Sequence, residues 1–134
     1  MTLVDTNVLL DLVTDDPVWS GWSLARLEEA ALAGSIVIND IVYAETSIRY
    51  DRMEDMDAML AQAMIDVVST PRSALFLAGK AFQQYRAGGG TRTGFLPDFF
   101  IGAHAAVRGW PLLTRDAARY RSYFPKLALI APPT

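Results

Sequence analysis

Short apolar runs alternate with longer amphipathic stretches along the chain. The apolar runs are rich in Val, Ile and Leu, are bounded by Gly, Asn, Asp or Pro, and are predicted to be strands. They cover residues 2–4, 36–38, 67–68, 112–114 and 127–130. Strands that are apolar throughout and separated by helices are typical of a parallel sheet covered on both faces. We therefore expect an α/β fold, a three-layer α/β/α domain with a short-stranded, mainly parallel sheet.

The stretches between these runs have the apolar spacing and the end signals of helices. Helices are predicted to begin after Asp5, at residues 15–17 where proline suits a first turn, and at Asp40 as a capping residue. Further helices are predicted at residues 54–64, 73–86, 98–107 and 116–123. The glycine-rich segment 88–94 has no apolar period and is predicted to be a flexible loop. No repeat or linker divides the chain, so one domain covering residues 1–134 is expected.

The composition restricts the chemistry that is available. Of the 134 residues, 51% are hydrophobic and 20% are charged, which agrees with a filled core and argues against disorder. The chain has no cysteine and a single histidine, His104, so disulfides and zinc sites of the usual His/Cys kind are excluded. Any bound metal is expected to be a hard ion with oxygen ligands.

The sequence carries no sign of export or membrane insertion. Its first residues lack the basic and apolar regions of a signal peptide, and no apolar run reaches the roughly 18 residues of a membrane span. We therefore expect a soluble, cytoplasmic protein without a membrane partner.

Charge is distributed unevenly between the two halves. Residues 67–134 contain nine Lys and Arg but only two acids, Asp98 and Asp116, which gives a net charge of +7. Residues 1–66 contain three Arg and thirteen Asp and Glu, a net charge of −10. A local basic face can attract a phosphate backbone even in an acidic chain. The alternative is that both sets of charges only solvate helix faces.

Three aspartates occupy positions where sites form in parallel sheets. Asp5 and Asp116 follow predicted strands, and the sites of open parallel sheets lie beyond the carboxyl ends of strands. Asp98 follows Pro97 in a predicted first helical turn. Each of the three could instead be a helix cap or a first-turn residue, a role worth about 1 kcal/mol.

Glu45 is a fourth candidate, and helix capping does not explain it. It lies well inside its predicted helix, on a stretch otherwise suited to burial, where an unpaired carboxylate is costly. A cation, a partner or a functional cleft would compensate that cost. The alternative is an ion pair with Arg49, one helical turn later.

Four carboxylates gathered without histidine or cysteine have a chemical consequence. Their mutual repulsion raises their pKa values and lowers stability unless a divalent cation neutralises them. Mg²⁺ or Mn²⁺ prefers such oxygen ligands and retains several waters. An ion in that position can activate water and stabilise displacement at phosphorus, so the residues favour phosphodiester hydrolysis.

Four segments resemble the motifs of PIN-domain ribonucleases. They are residues 4–10 (VDTNVLL), 39–45 (NDIVYAE), 96–105 (LPDFFIGAHA) and 112–116 (LLTRD). Their order, spacing and total length are most similar to VapC, the toxin half of bacterial VapBC toxin–antitoxin pairs. One such motif alone would be weak evidence, whereas four in order are specific.

The resemblance implies a Mg²⁺- or Mn²⁺-dependent endoribonuclease and assigns roles to residues. The family's acidic quartet is matched by Asp5, Glu45, Asp98 and Asp116. Asp5 and Asp98 would bind metal most directly, and the other two would hold metal-bound water or a second ion. The family's supporting polar positions are matched by Thr6, Asn7 and Thr114.

The resemblance also implies partners. The family commonly forms homodimers and is held inactive by a cognate antitoxin, here of the VapB type, whose C-terminal tail runs into the active-site groove. The substrate would be RNA with an exposed single-stranded loop, because unpaired bases can be splayed out and read. Candidates for holding its phosphates are Arg86, Arg92, Arg115 and Arg119.

Two other functions compete with the nuclease. An aspartyl-nucleophile phosphatase also uses an Asp after the first strand, but it needs a second acid two residues later, where this chain has Asn7. A catalytically silent module that only binds RNA or protein is the alternative from a different class. Such a module has no reason to gather four repelling carboxylates. His104 lies among small residues and is expected to serve helix packing rather than catalysis.

Overall fold

The computed structural model describes residues 1–133, without the side chain of Thr93. Strands and helices alternate along the chain. In order they are β1 (Thr2–Val4), α1 (Thr6–Val13), α2 (Ser20–Ala33), β2 (Ile36–Asn39), α3 (Asp40–Ser47), α4 (Met53–Gln62), β3 (Ile65–Val68), α5 (Arg72–Ala87), a 3₁₀ turn (Thr93–Phe95), α6 (Leu96–Arg108), β4 (Leu112–Leu113), α7 (Ala118–Tyr123) and β5 (Leu129–Ile130). No helix among residues 1–133 combines the length and the apolar character needed to cross a membrane.

The five strands form one sheet in the order β3-β2-β1-β4-β5, and each described pairing is parallel. β1 lies at the centre, where Leu3 pairs with Val37 of β2 on one side and with Leu112 of β4 on the other. Helices flank the sheet, so the predicted α/β fold class with a short-stranded parallel sheet is confirmed. From β1 the chain adds β2 and β3 on one side of the sheet and then β4 and β5 on the other, so the strand order reverses between β1 and β4. Sites of open parallel sheets form at such a point, beyond the carboxyl ends of the strands.

The helix predicted to start at residues 15–17 begins later, at Ser20. The Asp16 carboxylate accepts hydrogen bonds from the backbone N–H groups of Val18 and Trp19, at 2.9 and 2.8 Å. These bonds form a turn ahead of α2, so Pro17 lies in the turn and not in the helix.

Two other helix starts also differ from the prediction. α3 is capped by Asn39, whose side chain accepts a hydrogen bond from the Val42 N–H at 2.9 Å, whereas Asp40 accepts one from the Thr70 N–H at 3.2 Å. α7 begins at Ala118, so Asp116 lies in the preceding loop and does not cap a helix.

A group of aromatic rings from α5 and α7 packs around Phe99 of α6. Phe99 is 1% exposed, and its ring centroid lies 5.2–5.6 Å from those of Phe82, Tyr85 and Tyr123. His104, one and a half turns along α6, is fully buried with its ring 5.4 Å from that of Trp110. His104 therefore packs in the core, as the sequence predicted.

Gly102 allows α6 to pack closely against Tyr120 of α7 and against Phe124. A Cβ atom at this position would lie 2.6 Å from Cε2 of Phe124 and 2.9 Å from Cδ1 of Tyr120. We expect Gly102→Ala to lower the free energy of unfolding by about 1–3 kcal/mol because both rings must move. Chemical denaturation measures this loss.

Gly79 of α5 is the matched control for that substitution. It is also inside a helix, but a Cβ atom added there would have no neighbouring atom within 4 Å. Gly79→Ala is expected to raise the free energy of unfolding by about 0.5–1 kcal/mol through helix propensity alone. Equal effects at the two glycines would contradict the close packing at Gly102.

Candidate metal centre

A cavity of about 210 Å³ opens at the carboxyl edge of the sheet, beside the reversal of strand order. Its lining consists of Asp5, Thr6, Asn7, Leu10, Glu45, Asp98 and Asp116. The fold therefore brings together four carboxylates that lie up to 111 residues apart in the chain. Two of the three predicted supporting residues line the same cavity, and the third, Thr114, contacts the Asp5 carboxylate.

Asp5 is the most buried of the four acids, with 4% exposure. It caps α1 by accepting a hydrogen bond from the Thr6 N–H at 2.7 Å, so its capping role and its place in the cavity coexist. Its second oxygen accepts hydrogen bonds from Thr114 Oγ1 at 2.8 Å and Tyr120 Oη at 2.9 Å. Burial raises the pKa of Asp5, and these hydrogen bonds oppose that rise.

Tyr120 was not among the residues predicted from the sequence. Its side chain is 2% exposed, and burial beside the Asp5 carboxylate raises its pKa well above the usual value. A tyrosine that stays protonated is a permanent hydrogen-bond donor to Asp5. No local pattern indicated this role, because an aromatic residue in a short helix is ordinarily a packing residue.

Glu45 is held toward the cavity by a neighbour in space. Thr6 Oγ1 donates a hydrogen bond to Glu45 Oε1 at 2.7 Å. The alternative ion pair with Arg49 is absent from the salt bridges formed within residues 1–133. The Glu45 carboxylate is therefore oriented by a residue of α1 and not by an ion pair within its own helix.

Asp98 is partly buried and faces the negative charges of the three other acids. Burial raises its pKa to about 7, and the charges of Asp5, Glu45 and Asp116 add to the rise. The Arg119 guanidinium forms a salt bridge with Asp98 and lowers its pKa only in part. Arg119 also lies over the Phe95 ring, 3.2 Å from its centroid.

The loop that carries Asp116 is tied to α1 by polar side chains. Asn7 Nδ2 donates to Thr114 Oγ1 at 3.3 Å, and the Arg115 N–H donates to Asn7 Oδ1 at 3.4 Å. The Asp116 N–H donates to Thr114 Oγ1 at 3.1 Å. Thr6, Asn7 and Thr114 thus contact the carboxylates or the loop that bears them.

The four arginines predicted to meet RNA have different surroundings. The guanidinium of Arg115 forms an ion pair with Asp11, with Nε 2.9 Å from Oδ2, while about a third of its side chain stays exposed; its contact with RNA stays a prediction. Arg92 lies over the Phe95 ring and Arg86 over the Phe82 ring, at 5.4 and 5.8 Å. Arg92 and Arg119 therefore share one aromatic ring beside the acidic cavity.

The donor set of the cavity fits a hard divalent cation. All of its charged groups are carboxylates, and the raised pKa of Asp98 reflects negative charge that one arginine does not neutralise. Among residues 1–133, no three Asp, Glu or His side chains already stand close enough together to form a ligand shell. Carboxylate oxygens are the donors that hard ions such as Mg²⁺ prefer, and Mg²⁺ usually retains several waters beside a few protein ligands.

Stability without metal is expected to depend on the titration of Asp98. Its pKa is about 7 in the fold against 3.8 for the free side chain, so the folded state holds more protons between pH 4 and pH 7. The stability therefore falls as the pH rises through that window. Asp98→Asn, which cannot titrate, is expected to be about 1–3 kcal/mol more stable than the wild type at pH 8.

Denaturation in EDTA at pH 4 and pH 8 measures this difference. The two proteins are expected to differ less at pH 4, because Asp98 is then protonated in the folded state and partly protonated in the unfolded state. A wild type that is as stable as Asp98→Asn at both pH values would contradict electrostatic conflict at Asp98.

Solved structures show the same fold over nearly the whole chain. VapBC2 from Rickettsia felis, bound to a DNA fragment from its promoter, matches with a TM-score of 0.74 and 19% identity, covering 98% of each chain. VapBC-1 from nontypeable Haemophilus influenzae matches with a TM-score of 0.70 and 17% identity, covering 97% of this chain and 96% of that one. A toxin–antitoxin complex from Klebsiella pneumoniae matches with a TM-score of 0.65 and 20% identity, covering 99% and 98%.

Sequence comparisons define the family. A search of curated proteins found no match. The family model described as the PIN domain matches residues 2–124, which include all four acidic positions. The family indicated by the four motifs is thereby confirmed: the chain belongs to the PIN domain family.

Proposed function

We propose that this protein is a Mg²⁺- or Mn²⁺-dependent endoribonuclease that acts as the toxin of a type II toxin–antitoxin system. PIN domains are generally nucleases, which supports the reaction class. The observation that carries the proposal is the convergence of Asp5, Glu45, Asp98 and Asp116 on one cavity without histidine or cysteine. Such a set has little use except to bind a hard cation and the phosphate that it serves.

In this proposal Asp5 and Asp98 hold the metal, and Glu45 and Asp116 hold its water or a second ion. When bound, the metal would supply an activated water and stabilise charge on the phosphate. Tyr120 and Thr114 orient the Asp5 carboxylate through hydrogen bonds, and Thr6 orients Glu45. Removal of a hydrogen bond that orients a metal ligand typically lowers metal affinity or activity 10- to 100-fold.

The RNA would approach the cavity from the side on which Arg119 and Arg92 lie. Arg119 is the nearest cation, and its salt bridge to Asp98 must be exchanged for a phosphate or lost when metal binds. Arg92 and Arg86 would contact phosphates farther along the strand. Phe95, which lies beneath Arg92 and Arg119, has a ring on which an unpaired base could stack.

The proposed partners follow the likeness to the VapBC complexes. We infer that a VapB-type antitoxin covers the acidic cavity, that two copies of this chain form a homodimer, and that the protein acts on cytoplasmic RNA. The match of fold over nearly the whole length of the VapBC structures supports this arrangement. An antitoxin tail that carries Arg or Lys would be complementary to the four carboxylates.

A catalytically silent binding module is the second candidate. The Arg119–Asp98 salt bridge favours it, since an internal cation already neutralises one of the four acids. On this alternative the acids would bind a basic partner segment and never a metal. RNA would then be bound without being cut.

The experiment is cleavage of a mixed RNA pool by the purified chain, free of partner, with Mg²⁺, with Mn²⁺ and with EDTA. The nuclease predicts cleavage that requires metal and is lost in Asp5→Asn. RNA binding without cleavage under every condition would support the silent module and contradict the nuclease.

A further inference from the structure

An ion pair outside the acidic cavity, between the buried Asp11 and the partly exposed Arg115, joins α1 to the loop that bears Asp116. Asp11 of α1 is 2% exposed, and both of its carboxylate oxygens accept from Arg115 Nε, at 3.2 and 2.9 Å. Ser23 of α2, which is fully buried, donates to Asp11 Oδ2 at 2.8 Å. The Arg115 guanidinium also lies 5.4 Å from the centroid of the Trp19 ring.

The place of Arg115 in the chain gives this pair its significance. Arg115 stands between Thr114, which donates to the Asp5 carboxylate, and Asp116, which lines the cavity. Its backbone N–H donates to Asn7 Oδ1, so both its backbone and its side chain are attached to α1. The three residues of this loop therefore cannot shift without breaking a contact to α1.

A general stabilising role does not account for the location. A pair with one buried and one partly exposed partner contributes little net stability, because desolvation of the buried charge and solvent screening of the exposed one offset the attraction. A well-packed apolar pair could fill the same space. The Thr114 N–H donates to the Ile130 carbonyl of β5 at 3.0 Å, but Arg115 and Asp116 make no helical or strand hydrogen bonds that would fix the position of Asp116.

We propose that Asp11, Arg115 and Ser23 form a positioning network that holds Thr114 and Asp116 in the geometry that the cavity needs. This inference rests on the proposed function, since it assigns the network to the site of metal binding. Asp11, Arg115 and Ser23 are positioning residues: they act on the site through the loop and touch neither metal nor RNA.

The test compares the wild type with Asp11→Leu/Arg115→Met, in which two apolar side chains replace the pair. Circular dichroism checks folding, hydrogen exchange with mass spectrometry follows residues 114–117, and calorimetry measures Mn²⁺ affinity. We expect a folded variant whose amides at 114–117 exchange at least 10-fold faster, with Mn²⁺ affinity about 10-fold weaker. Asp11→Asn, which keeps the shape of the side chain, replaces the double variant if the latter does not fold, and the same changes are expected.

Met56→Ala is the matched control for stability alone. Met56 is 1% exposed in the core on α4 and contributes nothing to the cavity lining. Its truncation is expected to lower the unfolding midpoint while exchange at 114–117 and Mn²⁺ affinity stay as in the wild type. Equal changes in this control would show a general effect and overturn the proposal.

The remaining outcomes are also decisive. A folded network variant with wild-type exchange at 114–117, or with faster exchange and unchanged Mn²⁺ affinity, overturns the positioning role. A wild type that binds no Mn²⁺ overturns the proposed function. In that case the exchange at 114–117 still decides whether the network holds the loop.

Discussion

Asp98→Asn is expected to lower the rate of RNA cleavage at saturating Mg²⁺ by roughly 10³-fold or more. Asparagine keeps the size of the side chain but removes the charge that a divalent cation needs. Asp98 is the carboxylate on which the charges of Asp5, Glu45 and Asp116 act together, so the cation would relieve most repulsion there. A gel assay of single-turnover cleavage measures the loss.

The same variant separates loss of function from loss of fold. Since Asp98→Asn removes electrostatic conflict, it should be at least as stable as the wild type at pH 8 while being inactive. Asp55→Asn is the matched control, because Asp55 is an exposed first-turn acid of α4 that does not line the cavity. It should retain wild-type cleavage, and a comparable loss there would contradict a specific role for Asp98.

Phe99→Ala is expected to lower the free energy of unfolding by about 3–5 kcal/mol, the largest stability effect that we predict. The Phe99 ring is nearly fully buried and contacts rings from α5 and from the C-terminal segment, so its removal leaves a cavity among Phe82, Tyr85 and Tyr123. Phe99 directly follows Asp98, and the truncation is also expected to weaken Mn²⁺ binding. Urea denaturation monitored by circular dichroism provides the free energy.

Phe76→Ala is the control that isolates burial. Phe76 lies on α5 with 69% of its surface exposed, and Lys80 Nζ lies 5.1 Å from the centroid of its ring. Its loss should change the free energy of unfolding by no more than about 0.5 kcal/mol. If the two truncations cost the same, the packing of α6 on α5 would not be what stabilises this region.

The strands and the candidate carboxylates could be predicted because their signals are local. Residues 2–4 and 36–38 are apolar runs bounded by polar residues, and Asp5 directly follows the first of them. Parallel strands align their carboxyl ends, so local runs were sufficient to predict one shared edge. Glu45 was a candidate because it is a carboxylate inside a helix suited to burial, and Asp98 because it follows Pro97 in a first helical turn. The family resemblance pointed to both.

The contacts that arrange the carboxylates could not be predicted in the same way. Tyr120 reaches Asp5 across 115 residues of sequence, and Arg115 reaches Asp11 across 104. Such pairs depend on how α7 and its preceding loop pack on α1, and no periodicity records that packing. For this reason the pairing of the Arg115 guanidinium with the buried Asp11 carboxylate was not predicted.

The late start of α2 has a similar cause. Pro17 suits a first helical turn by its backbone angle, and the acids before it suit a cap. The Asp16 carboxylate instead binds the N–H groups of Val18 and Trp19 and completes a separate turn. Side-chain hydrogen bonds of this kind compete with helix initiation, and local propensity alone does not decide the outcome.

The most direct test of the account is a crystal of the partner-free protein grown or soaked with Mn²⁺ and measured at the manganese absorption edge. We predict an anomalous peak inside the acidic cavity, within bonding distance of Asp5 and Asp98, with the Arg119 guanidinium withdrawn from Asp98. The absence of a peak there at Mn²⁺ concentrations that support cleavage, or a peak elsewhere on the protein, would contradict the account.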